Sequence, residues 1–288
     1  MSHVPCPMMS DAWFAEKLAP DGDTIDGCHP QQAQALKQYL REEMSAQSAA
    51  RAITQPVLEA ENPVESLQSF WGFLVDALIE LPSRHTGGLV TLLQAVQDLP
   101  EPDTTAPGCE KLRRKKLWRE LPGFGHQYAD AHQWQDCRKL YTTAAAATDN
   151  LEQKRLQDYN TKKAKVEAHL VEAGLLPIDW GYETVADALE ASSAVLDLEV
   201  PAAAEWLVIL GPRFRAGAAK GEQSWALARQ RDLWKGGGGS MTRERYSFWA
   251  ERLGSLSLQA CEAATLRAAA AAREAMWRQQ GEGERGQQ

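Results

Sequence analysis

Asn62-Pro63-Val64-Glu65-Ser66-Leu67-Gln68-Ser69-Phe70-Trp71-Gly72-Phe73-Leu74-Val75-Asp76-Ala77-Leu78-Ile79-Glu80-Leu81-Pro82 decides the fold class. Asn62 is a capping residue type, and Pro63 takes the first helical position, where a missing N–H is harmless. Glu65 stands three residues after the cap. Leu67, Phe70, Trp71, Leu74, Val75, Leu78 and Leu81 then recur at the i, i+3, i+4, i+7 spacing of one buried helical face. Pro82 stops the run. The spacing therefore predicts an amphipathic helix ending at Leu81.

The same grammar extends outward. Leu89, Leu92, Leu93, Val96 and Leu99 predict a shorter helix, with residues 83–88 as the turn of an αα-hairpin. Upstream, Pro30 opens a segment with Leu36, Tyr39, Leu40 and Met44 at helical spacing. Downstream, Asp130 is expected to begin a helix through Trp134, Cys137, Leu140 and Tyr141. Asn150 recaps the chain with Gln153 three residues on, and Gly174 ends that helix ahead of Pro177. A short helix is expected around Val185–Leu189. Pro201 is placed at the first turn of an apolar helix through Trp206 and Leu210. The last two helices are expected from Ser240 to about Leu253 and from about Leu256 to Trp277.

No segment alternates with period two between hairpin turns, so the chain reads as all-α, an irregular multi-helix bundle of about nine to eleven helices. Residues 1–99 form an N-terminal helical region. Residues 100–110, with three prolines, form a linker. Residues 111–280 form a C-terminal helical region expected to pack with the first into one globular unit, and 281–288 a disordered tail.

Of 288 residues, 44% are hydrophobic and 24% charged, which places the chain among ordinary globular proteins rather than disordered ones. Ten Trp point to a well-packed interior or an aromatic-lined cleft. A net charge of −8 argues against general nucleic-acid binding. The charge is uneven, however: residues 201–250 carry 4 acidic against 8 basic side chains, which reads first as a separately solvated face. The five cysteines lie far apart, without metal-knuckle or redox spacing, and suit reduced thiols in the cytosol or nucleus. No secretory leader and no membrane span is read.

Three motifs fail on chemistry, and a fourth keeps two readings. Gly281-Glu282-Gly283-Glu284-Arg285-Gly286 matches GxGxxG by letter but has no strand before it and no helix after it. The acidic turn Asp21–Gly27 lacks a calcium loop's fifth-position oxygen, sixth-position Gly and twelfth-position Glu. His126, His132 and Cys137 lack ligand spacing for zinc. Lys111-Leu112-Arg113-Arg114-Lys115-Lys116 is a basic run that suits nuclear import or a solvated helix start. No cofactor is called for.

The candidate site is the stretch from Trp234 to Trp249. It reads as a helix ending in Trp234, a turn of four glycines, then a helix carrying Arg245, Phe248 and Trp249. Structurally, the aromatics pack inward and the Arg245 guanidinium stacks on a ring. Functionally, Trp206, Trp234, Lys235, Arg245 and Trp249 line a pocket for an anionic or aromatic ligand. Gly236–Ser240 has the form of an artificial flexible tether as much as that of a native turn.

These residues also resemble a fungal family of all-helical proteins classed as a domain of unknown function. The resemblance is carried by Phe70-Trp71, Ala77–Pro82, Leu89–Pro102, Val200–Trp206, Arg243–Trp249 and Ala275-Met276, over residues 60–278. Tyr246 stands where many relatives carry Trp. The resemblance implies an intracellular helical protein and brings no reaction or catalytic residue. The expected function is a non-catalytic module for a protein partner or a small apolar or anionic ligand. The alternative is an enzyme or ligand-handling protein of fungal specialised metabolism, shaping an apolar substrate in an aromatic cleft.

Overall fold

A computed structural model describes residues 8–24, 27–102, 116–132, 136–258 and 260–278. Most of the linker, the basic run up to Lys115, Ile25 and Asp26, Trp134 and the tail lie outside the described residues. Among those described the chain is all-α, with no strand. It divides into two compact units, Met1–Gln135 and Asp136–Gln288.

The first unit contains α1 (Met8–Leu18), α2 (Pro30–Leu40), α3 (Ala46–Glu59), α4 (Pro63–Glu80), α5 (Thr86–Gln97) and α6 (Phe124–His132). α4 forms as its sequence dictates. The Asn62 side chain accepts from the Glu65 amide at 3.4 Å, and Glu65 accepts from Asn62 Nδ2 at 3.0 Å. Phe70, Trp71, Leu74 and Leu78 are fully buried. Trp71 Nε1 donates to the Pro122 carbonyl at 3.0 Å, which pins the turn that starts α6 against α4. Asp130 lies inside α6 rather than opening a helix.

The second unit contains α7 (Cys137–Ala146), α8 (Asn150–Glu172), α9 (Asp179–Glu190), α10 (Leu196–Lys220), a single turn α11 (Trp225–Ala228), α12 (Arg243–Gly254) and α13 (Ala263–Arg278). α7 is capped by Asp136 and α8 by Asp149, one residue before the expected Asn150. Gly174, at φ +75, ends α8 as expected, and the Leu175 amide donates back to Leu170 O at 2.8 Å.

α10 is the axis on which α8, α9, α12 and α13 pack. It starts one turn earlier than expected, at Leu196, so Pro201 lies within it. Pro212 cannot bond the carbonyl four residues back, and the helix kinks at Leu210 (φ −109, ψ 16). Trp206, Phe214, Tyr182 and Trp249 fill the core, none exposed. Gly181 makes this possible: a Cβ there would sit 2.6 Å from the Trp206 ring.

The last two helices also begin later than expected. Thr242, not Ser240, caps α12, accepting from the Arg245 amide at 3.2 Å. α13 opens at Ala263 because Asp197 of α10 accepts from the Glu262 amide at 2.8 Å and from Thr265 Oγ1 at 2.6 Å.

Candidate functional site

Trp234 does not end a helix. It lies in an irregular loop, residues 229–242, between the single turn α11 and α12. Side chains and backbone of α9 and its C-terminal end hold this loop. Arg231 Nε donates to Asp187 Oδ1 at 2.7 Å, and its Nη1 to the carbonyls of Ala226 and Arg229 at 3.0 and 3.1 Å. The Ser192 amide donates to Asp232 Oδ1 at 2.8 Å, and bonding to Ser192 holds the Asp232 carboxyl below its usual range. The Leu233 amide donates to the Glu190 carbonyl at 2.8 Å.

The glycines are shaped by this loop. Gly237 and Gly238 take φ of +64 and +75, which L-residues rarely adopt. A Cβ on Gly236 would run into the Trp234 ring, and one on Gly239 would come within 3.2 Å of Ala228. The Ser224 amide donates to Gly239 O, and the Met241 amide to Glu222 O, both at 2.8 Å, around an isolated bridge between Gln223 and Ser240. Every glycine of Gly236–Gly239 therefore meets a conformational or steric requirement of its position. A free tether would meet none, so the run is an integral part of the fold.

At the centre lies an ion pair removed from solvent. Arg245, 1% exposed, donates from Nε and Nη2 to the two oxygens of Glu190, 0% exposed, each at 2.6 Å. Its Nη1 faces the carbonyls of Leu227, Gly238 and Ser240, each at 3.3 Å. Trp249 Nε1 donates to Glu190 Oε1 at 2.7 Å. The Arg245 guanidinium also lies 5.6 Å from the Trp234 ring centroid, and Trp234 rests against Phe248 at 5.4 Å.

Of the five expected site residues, Arg245 and Trp249 thus meet on Glu190, which the sequence reading missed, and Trp234 lies against Arg245. Trp206 lies in the core beside Gly181. Lys235 is on the surface.

Two concavities adjoin α12. A pocket of about 180 Å³ is lined by Arg229, Gln230, Arg231, Trp234, Gly238 and Arg245 among others. A larger groove of about 570 Å³ runs between α10 and α12, with Pro212, Ala216, Ala218 and Ala219 on one side and Arg215, Arg243, Tyr246 and Ser247 completing it. Burial pushes the Tyr246 hydroxyl up to about 12, so it stays protonated at neutral pH. Its oxygen lies 3.5 Å from the Met276 carbonyl, to which it donates. Neither concavity is lined by Trp206 or Trp249.

Among the described residues, no helix is long and apolar enough to cross a membrane. No curated protein and no solved structure matches the chain. The model of the family described as "Protein of unknown function (DUF3632)" matches residues 71–253, from within α4 to within α12 and including both concavities. The chain belongs to that family.

Proposed function

We propose that the protein is a non-catalytic interaction module whose docking face is the groove between α10 and α12, taking an acidic, amphipathic segment of a protein partner. The carrying observation is the lining of the groove. Its described residues are two arginines, a tyrosine and a serine, with a floor of proline and alanines, and no carboxylate is among them. On a chain of net charge −8, a basic groove is a local reversal that favours an anionic partner and steers its approach. The small side chains let a partner backbone come close. This module would work in the cytosol or nucleus of a fungal cell. The free thiols of Cys28, Cys137 and Cys261 suit such a reducing compartment.

The test is selection of displayed acidic helical peptides against the full chain, followed by titration of the winners. Arg215→Glu with Arg243→Glu should weaken binding by about a hundredfold, equivalent to roughly 1.4 kcal/mol per reversed charge. Winners that bind the double variant equally well would refute the groove as their seat. A second reading, ligand handling in fungal specialised metabolism, draws on the groove's volume of about 570 Å³, within the range of small-molecule pockets. It would be favoured if an uncharged apolar probe bound the groove and survived the charge reversals.

A further inference from the structure

The smaller pocket carries a different and more specific signal. Arg231 is 6% exposed, and its Nε and Nη1 are satisfied by Asp187 and by two backbone carbonyls. Its Nη2 is buried without an acceptor. Trp234 Nε1 is likewise buried without an acceptor. Both residues line the same cavity of about 180 Å³. A buried N–H with no partner is destabilising, and most such groups in folded proteins are paired. Two such donors in residues that wall one cavity favour, beside them, a group that only accepts.

The charge around the cavity agrees. Three guanidinium groups line it, those of Arg229, Arg231 and Arg245. The two carboxylates that partner them, Asp187 and Glu190, are not among the lining residues. Arg245 has both carboxylate-facing nitrogens occupied, and its remaining one faces carbonyls. Arg229 stands 3.8 Å from Asp187 with its side chain 66% exposed, so it is free to swing toward a ligand. The volume equals that of about six waters, enough for a group of a few heavy atoms and too small for a drug-sized molecule.

We propose that the pocket beneath the glycine loop is a binding site for a small oxyanion, a carboxylate or phosphate group, held by Arg231 Nη2 and Trp234 Nε1 with Arg229 closing over it. The site is separate from the α10/α12 groove and does not depend on it.

Thermal denaturation of the full chain with added inorganic phosphate or acetate, at constant ionic strength set by chloride, tests this. A ligand of the native state raises the midpoint with its free concentration and saturates its site in calorimetric titration. Saturable binding below about 10 mM is expected for at least one anion. Phosphate alone would identify a phosphate site, acetate alone a carboxylate site.

Trp234→Phe keeps an aromatic ring against Phe248 and removes the N–H donor together with the five-membered ring that carries it. Gln230→Glu is nearly isosteric, exposed, and adds a negative charge at the rim. Each should weaken binding by about tenfold or more, with the helical circular-dichroism spectrum unchanged. Arg215→Glu with Arg243→Glu should leave it unchanged, which separates this site from the groove. The proposal fails if neither anion binds beyond the chloride control, or if both pocket variants bind as tightly as the parent.

Discussion

Arg245→Met removes the guanidinium while keeping an unbranched stem, and its cost can be worked from the geometry. Two charge-assisted hydrogen bonds to Glu190, both at 2.6 Å, are lost. Bonds of this kind contribute about 1.5–3 kcal/mol each. Neither partner is more than 1% exposed, so no discount for solvent screening applies. Glu190 is left as a buried carboxylate with Trp249 Nε1 as its remaining side-chain donor. Breaking one side of a buried pair costs about 3–5 kcal/mol in general, and that is the expected loss. A domain has only about 5–15 kcal/mol in total, so the variant should stand close to unfolding.

Glu190→Gln should cost a similar amount, because it strands the guanidinium instead. The double variant Arg245→Met with Glu190→Leu removes both charges and should cost clearly less than the two single losses combined. Urea unfolding followed by circular dichroism gives the energies. Hydrogen exchange of the α9 and α12 amides assigns the loss to the second unit. The loss should persist at high salt, since a pair out of solvent is screened little. A single-variant loss under about 1 kcal/mol, or strict additivity in the double, would refute the view that this pair holds the loop.

Two further outcomes test other parts of the molecule. Gly181→Ala should lower stability by about 1–3 kcal/mol, because its Cβ would sit 2.6 Å from the Trp206 ring and 3.0 Å from Phe214; an open helical glycine would instead gain about 1 kcal/mol, so a gain in chemical denaturation would refute the close packing. Glu167, 2% exposed, is held above the usual carboxyl range by burial, despite Lys163 at 3.2 Å. The folded state therefore binds that proton more tightly than the unfolded chain, and stability falls as pH rises from the unfolded value through the raised folded one. Glu167→Gln should be more stable than the parent at neutral pH, with the difference closing as pH falls toward the ordinary carboxyl range; a constant difference across that range would count against the burial argument.

What the sequence made legible follows from where each signal lives. α4 is legible because its cap, proline and apolar stripe are all local and all agree. The 229–242 loop is not legible from its own residues because its determinants lie about 40 residues earlier in the chain. Asp187 and Glu190 on α9, with the Ser192 amide just beyond, hold Arg231, Leu233 and Asp232, and no local pattern encodes that. A trace of it was readable. Glu190 falls four residues after Ala186, on the face of α9 that buries Tyr182, Val185 and Leu189. A carboxylate at that phase requires a cation. The sequence offers many cations and does not say which one arrives.

That limit also explains why the candidate site shifted. Arg245 stands in the most patterned stretch of the chain, where its guanidinium is expected either to stack on an aromatic ring or to face a ligand, and it does lie over the Trp234 ring. The structure gives its charge to Glu190, and Trp249 donates to the same carboxylate. Arg245 and Trp249 of the Arg243–Trp249 signature are in this respect scaffolding: both fix α12 to Glu190 of α9, and Arg245 faces the glycine loop that covers a cavity. The unpaired donors of that cavity come from Arg231 and Trp234, in a stretch with no periodicity to draw attention to it. Pattern in a helical chain reports what must pack. A group left without a partner appears only once the packing is known, and here the two lie at opposite ends of one loop's support.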